Sequence, residues 1–218
     1  MAPGELVEVG DGHGRVVRTR VVTVDKDRLC LEVLGSRVEP IARPRLVVAQ
    51  SLVRDAETAV DLLTQVGVDE IVPFAAARSV VRWPEQRAER GRARWQAAAR
   101  EAAKQSRRAW VPEVTEALDL AGLIERLPAT GLAVVLHEQA AAWLVDLVVP
   151  QQGDLVVVVG PEGGLTDEEV ASLGRAGAYP VRLGPEVVRA VAAGMVAAAA
   201  LLSRTPRWRA TARQGCPD

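Results

Sequence analysis

Unbroken runs of apolar β-formers recur along most of this chain, among them Leu46-Val47-Val48-Ala49, Leu132-Ala133-Val134-Val135-Leu136 and Leu155-Val156-Val157-Val158-Val159. A strand with one wet face alternates apolar and polar residues, so continuous runs belong to strands covered on both faces. Strands are predicted at 46–49, 70–74, 132–136, 155–159 and 179–183, with helical periods at 55–66, 84–105, 114–126, 138–147, 167–176 and 186–203. Strand and helix in alternation is the pattern of a parallel α/β sheet. Residues 6–34 read differently, as short alternating segments split by Asp11-Gly12-His13-Gly14 and Asp25-Lys26-Asp27. That is a small antiparallel meander, expected to be part of a barrel, and Pro40 and Pro44 mark a stiff linker after it.

Composition narrows the function classes. At 218 residues and 49% hydrophobic, the chain can bury one α/β core and carry one small module. Cys30 and Cys216 lie far apart, with no Cys or His at metal-ligand spacing, so neither a disulfide framework nor a metal site is expected. The N-terminus lacks a basic start followed by an apolar stretch, which predicts a cytoplasmic protein. The apolar stretch at 191–202 falls short of the roughly 20 residues that span a bilayer, so it reads as a buried helix and no membrane partner is expected. Net charge is −1, yet residues 78–108 hold ten basic side chains against three acidic ones. A local basic excess of this kind suits phosphate, whatever the balance of the whole chain.

Four places carry chemistry. Gly160-Pro161-Glu162-Gly163-Gly164 follows the run at 155–159 and precedes Thr166-Asp167-Glu168-Glu169, which has the form of a helix capping box. Loops at the carboxyl ends of parallel strands are where open α/β sheets bind ligands, and glycines let a ligand approach the backbone; a plain tight turn is the alternative. Leu183-Gly184-Pro185 leads through Val188 and Arg189 into a helix lined with small side chains, which periodicity alone reads as a packed core helix. The basic segment holds Trp83 and Trp95, and arginines with aromatics suit phosphate contact and base stacking. The competing reading is a solvated face with the tryptophans turned inward. His137-Glu138 follows the run at 132–136, and its imidazole is either a general base or a hydrogen-bonded structural group.

Taken in order, Leu63-Thr64-Gln65-Val66-Gly67-Val68-Asp69-Glu70-Ile71-Val72-Pro73, Arg78-Ser79-Val80-Val81, Ala102-Ala103-Lys104-Gln105-Ser106-Arg107-Arg108, Leu136-His137-Glu138, the glycine loop with Glu169, and Leu183-Gly184-Pro185 with Arg189 resemble one family. It is the RsmE-type 16S ribosomal RNA uridine methyltransferases of the SPOUT class. The resemblance implies a trefoil-knotted α/β domain at 45–205, preceded by a partial PUA-like β domain at 1–40 and followed by a tail at 206–218. It implies a homodimer that binds S-adenosylmethionine and methylates ring nitrogen 3 of a uridine in 16S rRNA, on the small ribosomal subunit. Carried over by position, the cofactor residues are Leu136, His137, Glu138, Gly160, Pro161, Glu162, Gly163, Gly164, Leu183, Gly184, Val188, Ala190, Val191 and Ala192. Arg78, Arg82, Arg107 and Arg108 face RNA, and Arg189 and His137 are the catalytic candidates.

The sequence departs from the family pattern at Gln65, near Arg54, and above all at Arg189-Ala190-Val191-Ala192-Ala193, where the family has Arg-Thr-Glu/Ser-Thr-Ala. Three polar positions have become apolar. This motivates an alternative in which the scaffold acts on a small apolar molecule, with or without methyl transfer.

Overall fold

The computed structural model describes residues 1–127 and 130–208. Strands β1 (Leu6–Gly10), β2 (Arg15–Val24) and β3 (Leu29–Val38) form the expected meander, an antiparallel sheet in the order β1-β2-β3. It docks on the rest of the chain through Trp110, whose indole Nε1–H donates to the Glu39 carbonyl at 2.9 Å. Gly14 sits against that indole with φ at +95°, and a Cβ there would lie 2.6 Å from the ring. Only glycine allows both the turn and the contact.

The remaining strands are β4 (Arg45–Ser51), β5 (Glu70–Phe74), β6 (Glu113–Val114), β7 (Leu132–Leu136), β8 (Ala142–Trp143), β9 (Asp154–Val159) and β10 (Ala178–Arg182). They make one parallel sheet of seven strands in the order β6-β5-β4-β9-β7-β10-β8. The apolar runs are unbroken because both faces are covered. Leu46, Val48, Leu132, Val134, Leu155 and Val157 pack on one side with helices α1 (Ala56–Val66), α2 (Glu85–Gln105) and α5 (Ala190–Leu202). Val47, Ala49, Ala133, Val135, Val156 and Val158 pack on the other with α3 (Leu120–Arg126) and α4 (Asp167–Arg175).

Two predicted helices differ from the structure. Residues 138–147, alanine-rich and helix-prone, instead make a turn closed by the Ala140 N–H on the His137 carbonyl, then β8, then a 3-10 turn at Leu144–Asp146. Pairing with β10 at Val181 and Arg182 and burial of Ala140 and Leu144 outweigh the small propensity term. Residues 114–126 likewise give β6 before the shorter α3. Helix α5 starts four residues later than the period at 186 suggested, leaving 186–189 in the loop that precedes it.

Candidate functional site

Strands β7, β9 and β10 lie side by side, so the loops that leave their carboxyl ends meet above one edge of the sheet. The glycine loop leaves β9 and is closed by the Gly164 N–H on the Pro161 carbonyl at 2.8 Å. Gly160 has no room for a side chain, because a Cβ would lie 3.0 Å from the Leu165 side chain and 3.2 Å from its backbone nitrogen. The loop is held from outside. The Arg78 guanidinium donates to the Gly163 and Leu165 carbonyls at 3.2 and 3.4 Å, and the Glu162 carboxylate accepts the Arg54 N–H at 3.1 Å. Behind it Thr166 and Glu169 form the capping box that starts α4, and the second oxygen of Glu169 accepts the Ala77 N–H at 2.7 Å.

Between these loops and the first turn of α5 lies a cavity of about 710 Å³. Its wall takes Leu136, His137 and Glu138 from the end of β7 and the loop after it, Gly160, Pro161, Glu162, Gly163 and Gly164 from the β9 loop, and Leu183, Gly184, Val188, Arg189, Ala190 and Val191 from the β10 loop and α5. Residues from three distant stretches of sequence are thus brought to one place. Asp55, Arg78, Gln139, Asp167, Arg182 and Glu186 complete the polar lining.

The sequence profile described as RNA methyltransferase domain matches residues 41–202. The chain is 42% identical over 216 residues to ribosomal RNA small subunit methyltransferase E of Mycobacterium bovis, covering 96% of this chain and 82% of that protein. It is 29% identical over 219 residues to the protein of the same name from Bacillus subtilis, covering 96% and 86%. The chain belongs to the ribosomal RNA small subunit methyltransferase E family. A crystal structure of a family member from Neisseria gonorrhoeae, bound to S-adenosyl methionine, superposes with a TM-score of 0.83 at 27% identity, covering 93% of this chain and 84% of that one.

Set in this family fold, the predicted site residues separate into three groups. All the predicted cofactor positions line the cavity except Ala192, which is half-buried on the flank of α5 while Ala190, Val191 and Ala193 face inward. Ala190 and Val191 do not make the cavity apolar. Glu138, Glu162, Asp167, Arg78, Arg182, Glu186 and Arg189 share its wall, so the expected apolar pocket for a small apolar substrate is absent. His137 lines the cavity and accepts the Gln139 N–H on Nδ1 at 3.3 Å.

The basic segment is divided. Arg78 holds the glycine loop, exposed Arg82 donates to the Ala77 carbonyl at 2.8 Å, and Arg107 is exposed at the end of α2. Arg108 is turned inward onto protein groups. Arg107 adopts a left-handed φ of 54°, and the Arg107 and Arg108 N–H groups donate to the Lys104 and Ala103 carbonyls, a Schellman ending that turns Arg108 inward. Its guanidinium donates to the Thr64 and Val68 carbonyls, both at 2.7 Å, and faces Asp69 at 3.6 Å. Burial pulls its pKa down to about 10, against the pull of Asp69 and with the push of Arg207, and it stays charged at neutral pH. Trp95 is buried and Trp83 packs edge-on against it with ring centroids 5.2 Å apart, so these indoles belong to the core and offer no base-stacking face.

A second cavity, of about 810 Å³, opens between the meander and the amino ends of β4, β5 and β6. Arg45, Arg108 and Arg207 line it with Asp69 and Trp110. Arg207, in the segment read as a tail, donates to both Asp69 oxygens and to the Pro44 and Gly67 carbonyls. Residues 209–218 of that segment lie outside the described residues.

Proposed function

We propose that this protein transfers a methyl group from S-adenosylmethionine to ring nitrogen 3 of a uridine in 16S rRNA, acting on the small ribosomal subunit as a cytoplasmic homodimer. The reading rests on the convergence of the β7, β9 and β10 loops with α5 on one polar cavity, in a chain of this family. We further propose that those loops form the family's trefoil knot within residues 45–205, and that residues 1–40 serve as a partial PUA-like unit that docks RNA.

The cavity fits the cofactor. Its volume lies within the roughly 300–1,000 Å³ typical of ligand sites. Leu136, Leu183, Val188 and Val191 offer apolar wall for an adenine, the glycine loop offers backbone at close range, and the carboxylates offer counter-charge for a cationic centre. When bound, S-adenosylmethionine supplies an electrophilic methyl group on its sulfonium.

The protein's own residues then have two tasks. Arg78, Glu162 and Glu169 hold the loop walls in place, so that donor and acceptor meet in one geometry. Uridine must also give up its N3 proton, which passes to solvent, for that atom to take the methyl group, and S-adenosylhomocysteine leaves. Arg189, exposed at the start of α5, and the uncapped positive end of that helix favour the resulting anion.

Calorimetric titration with S-adenosylmethionine, followed by methyl transfer to small subunits lacking the modification and nucleoside mass spectrometry, tests the reading. Micromolar binding and a 3-methyluridine product are expected. Arg189→Ala should lower kcat at least tenfold while leaving cofactor affinity within about twofold, since one charge-assisted contact made only in the transition state contributes about 1.5–3 kcal/mol. Absence of cofactor binding defeats the proposal.

A further inference from the structure

Among the half-buried and buried arginines, Arg45, Arg92, Arg108, Arg204 and Arg207 each donate to a carboxylate or a backbone carbonyl. Arg182 does not. It ends β10 opposite Trp143 of β8 in the strand register, and its guanidinium carbon lies 4.1 Å from the centre of the Trp143 ring. Its Nε is buried with no acceptor, and no carboxylate among the described residues pairs with it. The cation nevertheless lines the cavity at the strand ends. A desolvated N–H without an acceptor is unfavourable, and stacking on an indole fixes the direction of the guanidinium without satisfying that group, while its terminal nitrogens stay open to a ligand.

We propose that Arg182 is the carboxylate-binding residue of this cavity and takes the amino-acid end of S-adenosylmethionine. The assignment rests on the cofactor reading above. The planar fork of the guanidinium matches the two oxygens of a carboxylate, and the half-buried strand end suits a small ligand. An RNA phosphate would be met at the rim, where Arg189 is exposed. Arg182 is a binding residue in this assignment, with no part in moving the methyl group.

The test compares S-adenosylhomocysteine with 5′-methylthioadenosine, which keeps the nucleoside and sulfur but lacks the amino-acid arm. Calorimetry of Arg182→Gln should show S-adenosylhomocysteine bound about tenfold to a hundredfold more weakly, with 5′-methylthioadenosine affinity unchanged. Retained binding of the second ligand shows that the variant is folded. Arg182→Lys, which keeps the charge and loses the fork, should give an intermediate loss. Equal weakening of both ligands, or of neither, overturns the assignment; loss of RNA affinity alone gives Arg182 to the substrate phosphate instead. If the unmodified protein binds neither ligand, the methyltransferase reading fails first and takes this assignment with it.

Discussion

The cavity at the carboxyl ends of β7, β9 and β10 and the one at the amino ends of β4, β5 and β6 are close in volume, about 710 against 810 Å³, and both are rich in arginine. What their arginines do differs. At the amino ends Arg108 and Arg207 are only 13% and 10% exposed, and Arg45, Arg108 and Arg207 share the carboxylates of Glu70 and Asp69. At the carboxyl ends Arg78 is tied to the glycine loop, but the buried Nε of Arg182 has no acceptor among the described residues and Arg189 is exposed. A large basic cavity therefore says little until each cation's partner is known. Where the protein supplies the partner, the charge is structural; where it does not, the charge faces a ligand.

The widest break in this comparison should come from Asp69→Ala. The substitution strips the shared carboxylate from two buried guanidiniums and the Leu46 N–H, and is expected to cost roughly 3–5 kcal/mol in urea unfolding. Binding of S-adenosylhomocysteine by the fraction that remains folded should be unchanged. A loss below about 1 kcal/mol would mean that the amino-end arginines are not held as described.

A smaller effect is expected from Glu169→Ala, which removes acceptors from the Thr166 and Ala77 N–H groups and frees the glycine loop on one side. Stability should fall by about 1–3 kcal/mol, and here cofactor affinity should fall with it. If thermal unfolding shifts while calorimetry gives an unaltered affinity, the outer bonds do not shape the carboxyl-end cavity.

The smallest concerns Asp11 on the rim of the second cavity. Hydrogen bonding from the His13 N–H holds its carboxyl below the ordinary 3.8, against some desolvation and with help from the Arg15 N–H. A lowered carboxyl pKa gives a contribution that is present above pH 3.8 and disappears as pH falls through the lower, folded value. The His13 amide resonance should titrate with a midpoint below 3.8, and a midpoint at or above it would refute the turn geometry.

Much of this was readable in advance, because parallel strands buried on both faces write themselves as runs such as 132–136 and 155–159. The place of the glycine loop in the cavity wall followed from putting loops at the ends of those runs, whereas the β10 loop and α5 were assigned to it only by the family resemblance. The two-residue strands β6 and β8 were not readable, since their neighbours in the sheet specify them and their own sequence favours helix. Arg107 and Arg108 look alike in sequence, and only the left-handed turn between them decides which one goes inward. Arg182 escaped notice although it carried a signal, a charged residue between Val181 and Leu183 where an apolar strand meets its loop. Asp55 and Gln139 gave no such sign and join the wall only through the folded path of the chain.

The central pairing of β4 with β9 joins Val48 to Val157 and Ala49 to Val158. On a ribosome adding about 5–20 residues per second, β4 therefore waits on the order of 5–20 s for its neighbour to be made. Throughout that wait the edge of β4 that β9 will cover is open to other chains. Helix α5, which closes the ligand cavity, emerges later still. A nascent chain that stops short of α5 lacks one wall of the cavity, so during synthesis ligand binding reports that α5 has been made.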